Sequence, residues 1–108
     1  MHVIIWAYEV SDSQRACFEE AYGAKGDWAE LFRRADGYLG TELLRDDQDP
    51  SRYFTIDRWR KEADRERFMS DWGAAYRDLD KQCEAFTTGE TLVGIFFVNA
   101  TGGLGQEA

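Results

Sequence analysis

Residues able to move a proton beside an apolar surface gather in one stretch, Tyr53-Phe54-Thr55-Ile56-Asp57-Arg58-Trp59. In an extended chain alternate side chains share a face, which puts Tyr53, Thr55, Asp57 and Trp59 together. A carboxyl pointing inward among rings loses solvation of its charged form, so its pKa climbs toward the range of a useful base. Asp57 is therefore a candidate base, and Tyr53 a candidate partner in proton transfer. The competing reading of Asp57 is an ion pair with an arginine of residues 58–67. Trp6, Trp28, Trp59, Trp72 and Tyr76 supply flat rings that could wall a pocket for a planar ligand, or could equally fill a core or a subunit interface. His2 has the intrinsic pKa for proton transfer, but it stands at the chain start, where a plain edge residue is the simpler expectation. Cys17 and Cys83 lie far apart without metal-type spacing, each one helical repeat from an apolar residue, and are expected as buried free thiols.

Other chemistry lacks its signature. There is no Gly-x-Gly-x-x-Gly or P-loop spacing for nucleotides, no Gly-x-Ser-x-Gly elbow, and no His/Cys cluster for zinc. Asp46-Asp47-x-Asp49 lacks the glycine and distal glutamate of a calcium loop and is expected as a solvated turn. No metal site is expected.

The elements that must position these residues follow from periodicity. Residues 2–10 are apolar and aromatic on both sides, with Ile4, Trp6 and Tyr8 on one face, which predicts a strand. Ser11-Asp12-Ser13-Gln14 has capping-box spacing before a helix carrying Phe18 and Tyr22. Gly23 and Gly26 interrupt it, and a second cap at Asp27 precedes Trp28, Leu31 and Phe32 on one face. Gly37 suits the left-handed position after the helix. Two aromatic-rich segments, 38–45 and 52–59, flank a polar turn and predict a hairpin. Phe68, Trp72, Ala75, Tyr76, Leu79 and Cys83 recur every three or four residues, giving a long amphipathic helix with Gly73 as a candidate kink; its charge-dense start, residues 58–67, is expected to be solvated. Residues 92–98 form a last strand.

The order β-α-β-β-α-β, with right-handed crossovers, predicts an α+β, ferredoxin-like domain: a four-stranded antiparallel sheet with helices on one face. One domain spans residues 1–98, followed by a Gly-rich, flexible tail over 99–108. Bulky apolar residues on the uncovered face of the sheet predict a second copy against it, hence a homodimer. The formal charge of -8, from 21 acidic and 13 basic residues, repels phosphate backbones and anionic lipid, so nucleic acid is not an expected partner. No apolar run approaches the roughly 20 residues of a membrane span, and the start shows no signal-peptide pattern; the expectation is a soluble cytoplasmic protein without a membrane partner.

The segments Gly26-Asp27-Trp28, Gly37-Tyr38-Leu39-Gly40-Thr41-Glu42, and Tyr53-x-Thr55-x-Asp57-x-Trp59 resemble those of the antibiotic biosynthesis monooxygenase (ABM) superfamily, whose members are dimeric α+β barrels built from ferredoxin-like subunits. The resemblance spans most of residues 2–98 and implies a pocket between sheet and helices, near Trp59. It covers several chemistries, among them cofactor-free oxygenases of polycyclic aromatics, quinol oxygenases and haem-degrading enzymes. Haem-degrading relatives use a histidine of the second long helix and an asparagine of the first strand, and neither is present here. The aromatic-polyketide oxygenases carry an asparagine four residues before the tryptophan, where this sequence has Thr55. The resemblance implies a cofactor-independent monooxygenase acting with dioxygen on a hydroxylated aromatic or quinol; because such a substrate itself supplies the electron to dioxygen, no cofactor is expected. Asp57 and Tyr53 are then the catalytic candidates, and Trp59, Trp28, Trp72, Tyr76, Thr55 and Trp6 the substrate-binding candidates. The alternative is a non-catalytic dimer of the same fold that binds a small molecule.

Overall fold

Alternation in the sequence becomes alternation in burial. In β3 (Arg52–Trp59) the side chains of Tyr53, Thr55, Asp57 and Trp59 are buried, while those between them are half-buried or exposed. The computed structural model describes residues 1–102, so the tail's residues 103–108 lie outside the described residues. β1 (His2–Glu9), β2 (Tyr38–Arg45), β3 and β4 (Gly89–Phe97) make one antiparallel sheet in the order β2-β3-β1-β4. α1 (Arg15–Tyr22) and α2 (Asp27–Phe32) connect β1 to β2, and α3 (Glu62–Cys83) connects β3 to β4. This is the ferredoxin-like plan, with its first crossover broken into two helices at the glycines. Among the described residues no helix is long and apolar enough to cross a membrane.

Aromatic packing joins the helices to the sheet. Phe18 and Tyr22 of α1, Trp28 and Phe32 of α2, and Phe68 of α3 meet Tyr8, Tyr53 and Trp59. Phe18 stacks on Tyr22 at 4.3 Å, and Phe32 meets Phe68 and Trp59 edge-on at 5.2 and 5.7 Å. Each such pair contributes about 0.5–1.5 kcal/mol beyond its buried area. α3 bends at Trp72 (φ −123°, ψ 15°), next to Gly73.

A polar lock fixes where the α2–β2 turn, the end of β3 and the start of α3 meet. The Asp64 carboxylate is fully buried and accepts hydrogen bonds from Arg60 Nε at 3.0 Å and Arg67 Nη1 at 3.0 Å. These guanidinium groups hold it below the usual carboxylate range. Gly37 lies directly against it with φ +90°, and its carbonyl accepts the Arg60 N–H at 2.7 Å. A Cβ on Gly37 would collide with the Asp64 carboxyl group.

Four local expectations are corrected. The charged start of α3 is not simply solvated, because Asp64 sits in the core of the lock. Cys17 is exposed, since α1 turns Phe18, Ala21 and Tyr22 to the sheet. Ser11 makes no side-chain cap; its backbone carbonyl accepts the Gln14 N–H in a short 3₁₀ turn instead. His2 is not at an edge, because β1 lies between β3 and β4 and His2 pairs with Trp59 and Phe97.

The sheet face away from the helices carries Ile5, Ala7, Phe54 and Ile56, half-buried, with Leu44, Val93 and Phe96 exposed. Gly40, at φ +139°, forms a bulge in β2, and a Cβ there would meet open space.

These two glycines are predicted to separate under substitution. Gly40→Ala carries only the backbone penalty of about 1–3 kcal/mol, whereas Gly37→Ala adds a collision with Asp64 and should lose clearly more stability in denaturant titration. Equal losses would contradict the lock.

Candidate active site

The strand registers decide which side chains converge beneath the helices. Across the sheet, Thr41 of β2 pairs with Asp57 of β3, Asp57 with Ile4 of β1, and Thr55 with Trp6. Side chains of one face are thereby stacked in a row. Tyr22, Trp28 and Phe32 from α1 and α2, and Tyr76 and Asp80 from α3, come down over that row. The result is a cavity of about 30 Å³ lined by Trp6, Tyr8, Tyr22, Trp28, Phe32, Thr41, Thr55, Asp57, Tyr76, Asp80 and Glu90. Its present size suits one or two water molecules. A fused-ring ligand therefore requires the aromatic wall to part.

Of the residues singled out in the sequence, Trp6, Trp28, Thr55, Asp57 and Tyr76 line this cavity. Tyr53, Trp59 and Trp72 do not. Tyr53 packs against Phe18 at 4.8 Å and donates its hydroxyl to Glu19 Oε2 at 2.5 Å. Trp59 is sealed among Phe32, Tyr38 and Phe68. Trp72, at the bend of α3, lies under the Arg34 guanidinium, 5.3 Å from its ring centroid. Tyr8, Tyr22, Phe32, Thr41, Asp80 and Glu90 complete the lining without having been singled out. A signal for Tyr8 existed, because it shares a strand face with Trp6; Thr41 needed the β2–β3 register.

Asp57 is 8% exposed and is not paired with an arginine. Its partner is the Thr41 hydroxyl, which donates to Oδ1 at 2.6 Å. Burial pushes its pKa up to about 6, against a smaller lowering by Thr41 and by the Arg65 charge. The arginines expected to pair with it are taken by other acids: Arg58 by Glu42, Arg60 by Asp36 and Asp64, and Arg67 by Asp64. Arg65 instead lies 5.9 Å over the Tyr76 ring.

Burial acts oppositely in usefulness on the phenols. Tyr8, Tyr22 and Tyr76 all have their pKa raised, chiefly by desolvation, so they keep their protons and can donate hydrogen bonds. Tyr8 shares a 3.2 Å hydrogen bond with Thr55. Trp28 Nε1 is buried without a hydrogen-bond partner among the described residues. Glu90 is raised by burial and then by the charge of Asp80. Thus Asp57 can take up a proton near pH 6, while the buried phenols keep theirs and can only donate. His2, the chain's one histidine, does not line the cavity, and no group of three or more potential metal ligands occurs among the described residues. A haem held through a histidine of this cavity does not fit these residues.

Comparison with known proteins agrees with this architecture. Three solved structures illustrate the likeness. SnoaB from Streptomyces nogalater, a cofactor-independent oxygenase solved in a mutant form, superposes with a TM-score of 0.73 at 21% identity, over 93% of this chain and 94% of that one. A Deinococcus radiodurans protein named for antibiotic biosynthesis monooxygenase gives 0.74 at 12% identity, over 95% and 97%. MhuD, also a mutant form, with two manganese protoporphyrin IX bound per active site, gives 0.68 at 23% identity, over 95% and 99%. At these identities the likeness is one of fold. No curated protein sequence matches significantly. The family model for antibiotic biosynthesis monooxygenase matches residues 1–77, through β1, both short helices, the β2–β3 hairpin and most of α3. That is well over half of the chain, which therefore belongs to the antibiotic biosynthesis monooxygenase family.

Proposed function

We propose that this protein is a cofactor-independent monooxygenase of a hydroxylated aromatic or quinol-type substrate, working as a cytoplasmic homodimer with Asp57 as its base. The observation that carries the reading is a buried carboxyl with pKa about 6, bonded to no cation, inside a cavity of aromatic rings. A phenolic proton moving from an ordinary pKa of about 10 to a carboxylate near 6 climbs about 5 kcal/mol. Two or three hydrogen bonds to the developing phenolate, at roughly 1.5–3 kcal/mol each, offset that climb. Tyr8, Tyr22, Tyr76 and Trp28 Nε1 are the donors for it. The ionised ring then gives an electron to dioxygen. For an anthrone-type CH₂ centre, one oxygen atom becomes the new carbonyl, the other leaves as water with the two hydrogens, and no external reductant is needed. Tyr53 has no part in this, its hydroxyl being tied to Glu19.

A second reading is favoured by the cavity's size. At about 30 Å³ the wall must open for any bicyclic ligand, and a protein that opens without reacting would bind a small apolar molecule and release it unchanged. Oxygen uptake with anthrone or hydroquinone probes separates the two.

Oxygen uptake above the uncatalysed rate is predicted to rise with pH through about 6 and to fall by about 10²-fold or more in Asp57→Asn. The same variant gains stability. A folded-state pKa above the unfolded one means that the burial cost is absent below about pH 4 and complete above about 6, so Asp57→Asn should be more stable by up to about 3 kcal/mol at pH 7 and by little at pH 4. Binding without uptake would leave only the second reading. For the dimer, light scattering should give twice the chain mass of 12.5 kDa, and Phe96→Glu, on the open sheet face, should give the monomer; a monomeric wild type overturns that part.

A further inference from the structure

Resting on Asp57 as the base, we propose that Thr41 and Tyr38 form a proton relay connecting Asp57 to the surface depression beside β2 that Ala24, Arg33 and Leu39 also line. A base must lose its proton before the next cycle. Asp57 is 8% exposed, so that proton needs hydrogen-bonded neighbours to carry it to water. Two hydrogen bonds supply a route: the Thr41 hydroxyl donates to Asp57 Oδ1 at 2.6 Å, and the Tyr38 hydroxyl lies 2.5 Å from Thr41 Oγ1. With the Thr41 proton directed at Asp57, its oxygen accepts from Tyr38, so the three groups form one ordered chain.

The backbone is shaped for this contact. In a regular strand, residues three apart point to opposite faces. Here the register shifts between Tyr38 and Gly40, Tyr38 pairing with Trp59 and Thr41 with Asp57. The bulge adds one residue, and both hydroxyls end on the helix-facing side. Only glycine takes the φ of +139° at position 40 without strain. Thr41 also lines two cavities at once: the aromatic one with Asp57, and a surface depression with Ala24, Arg33, Tyr38, Leu39 and Gly40. Tyr38 is half-buried and lines that surface depression.

One step moves one proton. Once Asp57 is protonated both hydroxyls rotate outward, the carboxyl gives its proton to Thr41 Oγ1, Thr41 gives its own to Tyr38, and Tyr38 releases one to water, which leaves the inward-donating chain seen beside the ionised carboxylate. Neither hydroxyl changes its net protonation. The charged and titratable groups that face Asp57 or share its cavity are Arg65, Tyr76 and Asp80 from α3, Tyr8 from β1, Tyr22 from α1, Tyr38 from β2 and Glu90 from β4, with Arg33 facing Tyr38. None of the others offers a hydrogen-bonded path from the carboxyl outward among the described residues. Thr41 and Tyr38 are thus positioning residues, acting through Asp57.

The test is a light-triggered, caged-proton pH jump across about pH 6 on the ligand-free protein, following the carboxylic acid band of Asp57 by infrared and assigned with Asp57→Asn. Relaxation should slow by about tenfold or more in Thr41→Val and in Tyr38→Phe, and Thr41→Ser should restore the wild-type rate. With a turned-over substrate, the first two variants should lower kcat and leave KM unchanged. Wild-type relaxation in both Thr41→Val and Tyr38→Phe would overturn the relay, sending the proton through the cavity mouth. Variant-dependent relaxation without oxygen uptake would retain the relay and sink the oxygenase. Uptake with unaltered relaxation would do the reverse.

Discussion

Keeping one carboxyl out of water without a cation beside it costs this fold about 3 kcal/mol at neutral pH, and the helix-facing layer is organised around tolerating that cost. A surface arginine within reach would remove the penalty by pairing with Asp57, and would lower its pKa toward the ordinary range. The segment after β3 is rich in arginine, yet Arg58, Arg60 and Arg67 are engaged by Glu42, Asp36 and Asp64. The lock around Asp64 therefore has two effects. It pins the start of α3 against Gly37, and it engages Arg60 and Arg67, which leaves Arg65, over the Tyr76 ring, as the guanidinium whose charge reaches Asp57. What remains for Asp57 is a hydroxyl, which satisfies one oxygen without neutralising the charge.

The stability that offsets this cost comes from aromatic packing. Trp59 is buried on the same strand two residues from Asp57, and its contacts with Phe32, Tyr38 and Phe68 tie β3 to α2, β2 and α3 at once. Trp59 thus shapes the cavity from behind rather than lining it. Its substitution would act on the positions of Phe32 and Tyr38, both neighbours of the site, and not on a ligand directly. Tyr53, at the other end of the strand, plays the same part for α1 through Phe18 and Glu19.

Much of the fold was legible because it rests on local signals. β2 and β3 fall where the aromatic alternation placed them, the broken first crossover follows Gly23 and Gly26, and Gly37 takes the positive φ its position after a helix suggests. The candidate site was legible only in part. Period-two alternation correctly grouped Tyr53, Thr55, Asp57 and Trp59 on one face, but a shared face does not say which members a helix covers and which it leaves beside a gap. That depends on how α1 and α2 lean on the sheet, through contacts far apart in the chain. Thr41 was invisible for a related reason: a bulge at Gly40 decides its facing, and a bulge breaks the very alternation from which facing is inferred.

The description turns on Asp57 being a solvent-starved, unpaired base, and the most direct measurement is its own titration, by carboxyl carbon NMR of the wild-type protein with Asp57→Asn for assignment. A midpoint near 6, well above other aspartates, is the predicted result. A midpoint at about 4 or below would mean a solvated or cation-paired carboxyl, and would contradict the base assigned here.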